Sequence, residues 1–105
     1  MRRATEHGEI WLAHVDKRRP VVVVGRDDVR GARERTTVAP VTRTARGLAS
    51  EVDLDQRDGL PIACVASCDE LGTIPKSKLI RRIGRLSEAK LLELADALRF
   101  SLQLE

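Results

Sequence analysis

The sequence predicts a mainly β fold with a C-terminal helix: a small antiparallel sheet or half-open barrel that the helix covers. Short apolar segments, alternating or β-branched, recur along the first two thirds of the chain and are separated by polar segments. The final segment instead spaces its leucines three and four residues apart, which is typical of an amphipathic helix. A chain of 105 residues is expected to form one domain, covering 1–105.

Five to seven short strands are expected along the first part of the chain. The segments that carry the strand pattern are 8–15, 20–24, 36–42, 48–54, 62–68 and 80–86. The valines from Val21 to Val24 form an unbroken β-branched run, so this strand is expected to be buried on both faces. Segment 73–79 carries Pro75 and is predicted to form a short turn of helix.

The C-terminal helix is predicted over 88–102. Ser87 is a good N-cap, and Glu88 suits the positive end of the helix dipole in the first turn. The apolar face that this helix turns toward the sheet is predicted to contain Leu91, Leu94, Ala95, Leu98 and Leu102.

The composition excludes a membrane protein and a disordered tail. Charged residues make up 33% and hydrophobic residues 42% of the chain, which suits a small globular core. The longest apolar run, Val21 to Val24, is far shorter than the roughly 20 residues of a membrane span. The basic start, Met1 to Arg3, is followed by polar residues, so no signal peptide is expected and a cytoplasmic location is predicted.

Neither a cofactor nor a metal ion is expected. No Gly-rich phosphate loop and no metal-ligand spacing of His and carboxylates stands in the sequence. Cys64 and Cys68 lie four residues apart and are interpreted as reduced, small buried hydrophobes. His7 and His14 are separated by an odd number of positions, which on one strand directs them to opposite faces and disfavours a histidine-pair nuclease.

Basic residues cluster where predicted strands end. Arg18 and Arg19 precede the valine run, while Thr42 closes the third strand and is followed by a basic segment, 43–46. Polar side chains held at the ends of a rigid sheet are common sites of function, and arginine donors suit phosphate oxygens. These residues alone indicate phosphate or RNA binding; a surface ion pair for Arg19 and an edge β-former for Thr42 remain open.

Five segments in matching order resemble one known family. They read Gly-Glu-Ile-Trp at 8–11, Arg-Pro-Val-Val-Val-Val at 19–24, Val-Ala-Pro-Val-Thr at 38–42, Cys-Asp-Glu-Leu-Gly-Thr-Ile at 68–74 and Ile-Gly-Arg-Leu-Ser at 83–87. In order and spacing the sequence is similar to the MazF/PemK toxin endoribonucleases of type II toxin–antitoxin systems. The similarity extends from about residue 8 to the end of the chain.

The resemblance implies a fold, an activity and partners. It implies an SH3-like β-barrel that acts as a homodimer and is inhibited by an antitoxin with an acidic, disordered C-terminal tail. It implies cleavage of single-stranded RNA without a metal ion, by attack of the 2′-OH, leaving a 2′,3′-cyclic phosphate or 3′-phosphate and a 5′-OH. The family's catalytic arginine corresponds to Arg19, and its catalytic Ser or Thr corresponds to Thr42.

Further residues are predicted to bind RNA through their position beside these two or within the family's motifs. They are Lys17, Arg18, Arg26, Arg43, Thr44, Arg46, Glu70 and Thr73. Three features depart from the family pattern: the loop before Arg19 is short, Glu70 stands where the family has Gln, and Gly72 stands where it has Arg. Trp11 is interpreted as a core residue.

Two other functions compete with the ribonuclease. One is a non-catalytic toxin of the same fold that binds a protein target such as DNA gyrase. The other is a structural dimerisation domain. Arg19 and Thr42 occurring together favours the enzyme over both.

Overall fold

The computed structural model describes residues 3–104, which form seven strands and one α-helix. The strands are β1 (Glu9–His14), β2 (Arg18–Val23), β3 (Arg35–Thr42), β4 (Glu51–Leu54), β5 (Cys64–Ser67), β6 (Gly72–Pro75) and β7 (Leu79–Arg85), and the helix is α1 (Glu88–Leu102). Short 3-10 helices cover Gln56–Asp58, Cys68–Glu70 and Lys76–Lys78. The mainly β fold with a C-terminal helix is therefore confirmed. Within residues 3–104, no helix has both the length and the hydrophobicity to cross a bilayer.

All strand pairs are antiparallel, and β3 lies at the centre. The order is β4-β5-β3-β2-β1-β7, and β6 adds to β3 beside the first half of that strand. β3 thus pairs with β2 on one edge (Val21↔Pro40) and on the other edge with β6 (Thr37↔Thr73) and β5 (Thr42↔Val65).

The valine run is buried on both faces, as predicted. Val21, Val22 and Val23 have no exposed surface. Their side chains alternate between two hydrophobic clusters, because successive strand residues point to opposite faces. Val22 joins the larger cluster, which includes Leu94 of α1, while Val21 and Val23 pack with Trp11, a core residue as predicted.

The helix begins and ends where the sequence predicts. Ser87 Oγ accepts a hydrogen bond from the Lys90 amide at 3.2 Å, so Ser87 is the N-cap. Leu94 and Ala97 are buried. Leu102 was expected on the buried face but is 52% exposed, because the last turn is held by polar contacts instead. Ser101 Oγ donates to the Cys68 carbonyl at 2.7 Å and to Asp69 at 2.8 Å.

Two local predictions are confirmed only in part, because pairing or turn hydrogen bonds override the local pattern. Segment 73–79 contains the predicted short turn of helix at Lys76–Lys78, but Gly72–Pro75 before it forms β6 on the edge of β3. Pro75 stands at the end of β6, where a missing amide hydrogen costs little. Strand β4 begins at Glu51, because the Leu48 carbonyl accepts the Glu51 amide in a turn at 3.0 Å.

The two cysteines differ in burial. Cys68 is buried, as predicted, although it lies in a 3-10 helix rather than a strand. Desolvation, with a smaller effect of Asp69, raises the pKa of Cys68 to about 11. Cys64 is only half-buried.

A buried ion pair fixes the segment between β2 and β3. Lys76 Nζ, on a side chain that is 3% exposed, donates to the Asp28 carboxylate and to the Arg3 carbonyl. The same carboxylate accepts the amides of Ala32 and Arg33 at 3.0 and 2.9 Å. The Lys76 hydrogen bond, followed by these amides, lowers the pKa of Asp28 to about 2.

Replacement of a buried helix leucine tests the packing of α1. Leu94→Ala is expected to lower the free energy of unfolding by about 2–5 kcal/mol, because it opens a cavity under the helix. Leu92→Ala is the matched control, since Leu92 is 70% exposed and its loss is expected to cost less than about 0.5 kcal/mol. Urea denaturation measures both, and equal losses would contradict the assigned helix face.

Acid titration tests the Asp28–Lys76 pair. The pKa of Asp28 lies below its ordinary value of 3.8 in the folded chain, so its contribution to stability is present above about pH 4. That contribution is lost as the pH falls from about 4 to about 2. Asp28→Asn is expected to lower the melting temperature at pH 7 and to flatten its decline over that acid range. Asp53→Asn, an exposed carboxylate on β4, is the control; an unchanged acid slope in Asp28→Asn would contradict the pair's role.

Candidate active site

An open groove of about 630 Å³ lies where the β2–β3 ladder ends. The ladder pairs Val23 to Val21 with Val38 to Pro40 and continues no further toward the groove. Pro20 and Pro40 stand at this point, and neither has an amide hydrogen to extend the ladder. The groove is lined by Lys17, Arg18, Arg19, Pro20, Val41, Thr42, Arg43, Leu60, Pro61, Ile62 and Cys64.

The sheet brings Arg19 and Thr42 together on this groove. The register that sets Val21 opposite Pro40, continued by two residues, brings Arg19 level with Thr42. Opposed residues of antiparallel strands direct their side chains to the same face. Both residues line the groove from neighbouring strand ends, although they are separated by 22 residues of sequence between them (positions 20 to 41).

The Arg19 guanidinium is held by one carboxylate. Nη2 of Arg19 donates to Oδ2 of Asp16 at 3.0 Å, and the Arg19 side chain is 27% exposed. Nε of Arg19 is buried and has no hydrogen-bond partner within residues 3–104. Backbone amides, that of Asp16 first and then that of Lys17, together with the charges of Arg19 and Lys17, keep the pKa of Asp16 below its ordinary value.

The Thr42 hydroxyl accepts one hydrogen bond within the protein. The Thr44 amide donates to Thr42 Oγ1 at 3.3 Å, in a local turn that fixes the start of the following loop. A hydroxyl carries one donor and two acceptor positions, so Thr42 can still donate its hydrogen to a ligand in the groove.

The basic loop after β3 is organised by Glu51. The Glu51 carboxylate accepts the Arg46 amide on both oxygens at 3.1 Å and the Leu48 amide at 3.1 Å. Arg43 lines the groove, while the exposed Thr44 and Arg46 lie in the adjacent loop. Lys17 and Arg18 complete the positive rim on the β2 side.

Three residues predicted to bind RNA lie away from the groove. Arg26 follows the opposite end of β2. Thr73 lies on β6, opposite Thr37, which is about 17 Å along β3 from Thr42 at 3.3 Å per residue. Glu70 is exposed at the end of the 3-10 helix that follows β5. Their contact with RNA stays a prediction that the groove lining does not support.

One wall of the groove is apolar, and sequence reasoning missed it. Leu60, Pro61 and Ile62 follow the 3-10 helix Gln56–Asp58, and Ile62 is 43% exposed. The signal was present in the sequence, since Leu60 and Pro61 directly precede the predicted strand 62–68 and Ile62 opens it. Cys64 ends this wall, and burial, with Asp58 and Asp55, raises the pKa of its thiol, so it stays protonated at neutral pH.

The part of the chain that the structure describes contains no group of three or more His, Cys, Asp or Glu side chains placed to hold a metal ion.

A comparison with protein families identifies the family of this chain. The family model of the PemK-like, MazF-like toxins of type II toxin–antitoxin systems matches residues 6–102. The chain belongs to this toxin family.

Individual members of the family are similar to this chain in sequence and in structure. Endoribonuclease MazF3 of Mycobacterium tuberculosis (strain ATCC 25618 / H37Rv) is 45% identical over 89 residues, which cover 85% of this chain and 86% of the relative. The solved structure of Mycobacterium tuberculosis toxin MazF-mt6 superposes with a TM-score of 0.88 at 42% identity, covering 92% of this chain and 98% of that one. The family and the fold expected from the sequence motifs are thus confirmed for this toxin.

Proposed function

We propose that this toxin is an endoribonuclease that cleaves single-stranded RNA without a metal ion. The substrate would be an mRNA, or a single-stranded segment of a ribosomal or transfer RNA. The observation that carries the proposal is the convergence of Arg19 and Thr42 on one basic groove, in a chain whose curated relatives are named endoribonucleases. Those names favour an enzyme over a non-catalytic toxin that binds gyrase. RNA cleavage would inhibit translation and growth.

RNA supplies its own nucleophile, so the protein's task is to align and stabilise. The 2′-OH attacks the adjacent phosphorus and loses its proton to water, the bond from phosphorus to the 5′ oxygen breaks, and that oxygen takes a proton from water. The products are a 2′,3′-cyclic phosphate, which water can open to a 3′-phosphate, and a 5′-OH. Negative charge grows on the phosphoryl oxygens during this step. We assign its stabilisation to Arg19, whose remaining Nη donors suit two phosphate oxygens.

Thr42 is assigned the orientation of the reacting phosphate or 2′-OH. Its hydroxyl is fixed by the Thr44 amide and retains one hydrogen to donate. Lys17, Arg18 and Arg43 neutralise flanking phosphates from the groove rim. Pro61 and Ile62, the exposed part of the apolar wall, offer apolar contact to a base, which replaces aromatic stacking in a chain with one Trp, one Phe and no Tyr.

Cleavage of a long single-stranded RNA in EDTA tests the activity. Wild type is expected to make discrete cuts that primer extension maps, and the sites would give the sequence preference. Arg19→Ala is expected to lower the rate by about 100- to 1,000-fold, because it removes an electrostatic donor to the transition state. Thr42→Ala is expected to lower it as well, with product ends unchanged.

Arg30→Ala is the matched control for loss of one surface charge. Arg30 is exposed and lies beyond the opposite end of β2, so its replacement is expected to leave the cleavage rate within about twofold. Circular dichroism must show that each variant is folded. A folded wild type that cuts none of mRNA, rRNA and tRNA would contradict the proposed function and favour a toxin that binds a protein.

We also propose that the toxin is a homodimer in the cytoplasm. Its groove would bind the acidic, disordered tail of a cognate antitoxin. The family is defined by toxin–antitoxin systems, and the groove offers that tail the same cationic rim as RNA. A disordered acidic segment that binds there would compete with RNA directly. Reduced cysteines, Cys64 and Cys68, and an RNA substrate both suit the cytoplasm.

A disordered Glu- and Asp-rich peptide is expected to bind this groove and to inhibit cleavage. Size-exclusion chromatography with light scattering measures the mass of the complex with the peptide. Without the peptide, the same measurement should give twice the 11.7 kDa mass of one chain, as expected for the dimer. Inhibition should weaken between about 0.1 and 1 M salt, where the Debye length falls from about 10 to about 3 Å. The same peptide with Gln and Asn in place of the acids is the control. Equal inhibition by both peptides would contradict an electrostatic groove, and a monomer mass would contradict the dimer.

A further inference from the structure

Asp16 is a carboxylate next to the groove that nothing in the mechanism above uses. It lies in the short turn between β1 and β2, where the Val15 amide donates to the Lys17 carbonyl at 3.1 Å. Its two oxygens have separate partners. Oδ1 accepts the Lys17 amide at 3.0 Å, and Oδ2 accepts Nη2 of Arg19 at 3.0 Å. The turn therefore fixes the carboxylate, and the carboxylate fixes the guanidinium.

The contact leaves Arg19 with a defined set of free donors. Nε is buried within the protein and Nη2 has given one hydrogen to Asp16, so the outer Nη hydrogens are those that a groove ligand can reach. Because a guanidinium is planar, holding one Nη sets the plane of the whole fork. Without Asp16, the bonds of the arginine side chain could rotate that fork away from the groove.

We propose that Asp16 is a positioning residue that holds the Arg19 guanidinium in the orientation that meets the scissile phosphate. This inference rests on the proposed ribonuclease function. It carries a cost, because the Asp16 carboxylate is 68% exposed beside a groove that binds a polyanion. Asp16 therefore weakens RNA binding through its charge while it aids the chemical step through its geometry, and the two effects can be separated.

Steady-state kinetics on a short single-stranded RNA containing one mapped cut site separates charge from geometry. Asp16→Ala is expected to lower kcat about tenfold, because the guanidinium is released. It is expected to lower KM about two- to fivefold, because a repulsive charge is removed. Asp16→Asn keeps an acceptor without the charge, so KM should fall while kcat is largely retained. Asp16→Glu keeps the charge but moves the acceptor, so kcat should fall while KM stays unchanged.

Asp96→Asn is the matched control. Asp96 pairs with Arg99 at the same spacing of three residues and at 3.2 Å, on an exposed face of α1. Its replacement is expected to leave kcat and KM unchanged. A merely structural role of Asp16 would reduce the folded fraction and kcat without lowering KM, so melting temperatures are measured in parallel.

Nitrogen-15 NMR of the arginine side chains tests the tether without RNA. Arg19 should show separate Nη signals in wild type, because its ion pair restricts rotation, and averaged signals in Asp16→Ala. Unchanged Arg19 signals, or wild-type kcat in Asp16→Ala, would overturn the proposal. A wild type that cuts no RNA would instead contradict the proposed function, and in that case the NMR comparison alone decides whether Asp16 orients Arg19.

Discussion

The structure depends on the exchange of partners along one edge of β3. That strand pairs with β6 over its first half and with β5 at its end, while β2 covers part of its other edge. Both hydrophobic clusters therefore take side chains from β3, with Val38 in one and Val41 in the other. Because the β2 ladder stops at Pro40 while the β5 ladder continues, Thr42 stays rigidly held although its β2 side is open. The role proposed for Thr42 needs such a position, since its hydroxyl is fixed and still accessible.

The two aspartate–cation pairs illustrate different uses of charge. Lys76 is buried and Asp28 is only 10% exposed, and both are hydrogen-bonded on several sides, so removing one partner leaves the other charge poorly solvated. Asp16 and Arg19 are partly exposed, and such pairs contribute little to stability. The first pair holds a loop in place, whereas the second orients a guanidinium whose remaining Nη hydrogens stay free for a ligand in the groove. The net charge of +3 reveals neither arrangement.

Local sequence patterns predicted the elements that local physics determines. The valine run, the Ser87 N-cap and the end of β3 at Thr42 all follow from residues close in sequence. β6 did not, because its strand conformation depends on β3, whose first half is more than 30 positions earlier. The apolar wall and Asp16 were missed for a related reason. Leu60 and Ile62 gain their meaning from a groove that only tertiary pairing creates, and Asp16 from the side-chain direction of Arg19.

The groove is opened by prolines that lack an amide hydrogen. The residues that form its rim are therefore different from the residues that hold the fold together, and the two sets can evolve separately. Pro20 and Pro40 end the ladder without requiring any residue at the rim to be large, small or charged. Lys17, Arg43 and Ile62 are exposed and lie outside both hydrophobic clusters. Mutations at these positions can therefore accumulate without opening a cavity in the core. Duplicated copies of such a gene could acquire different target sequences while each retains a stable, preformed cleft.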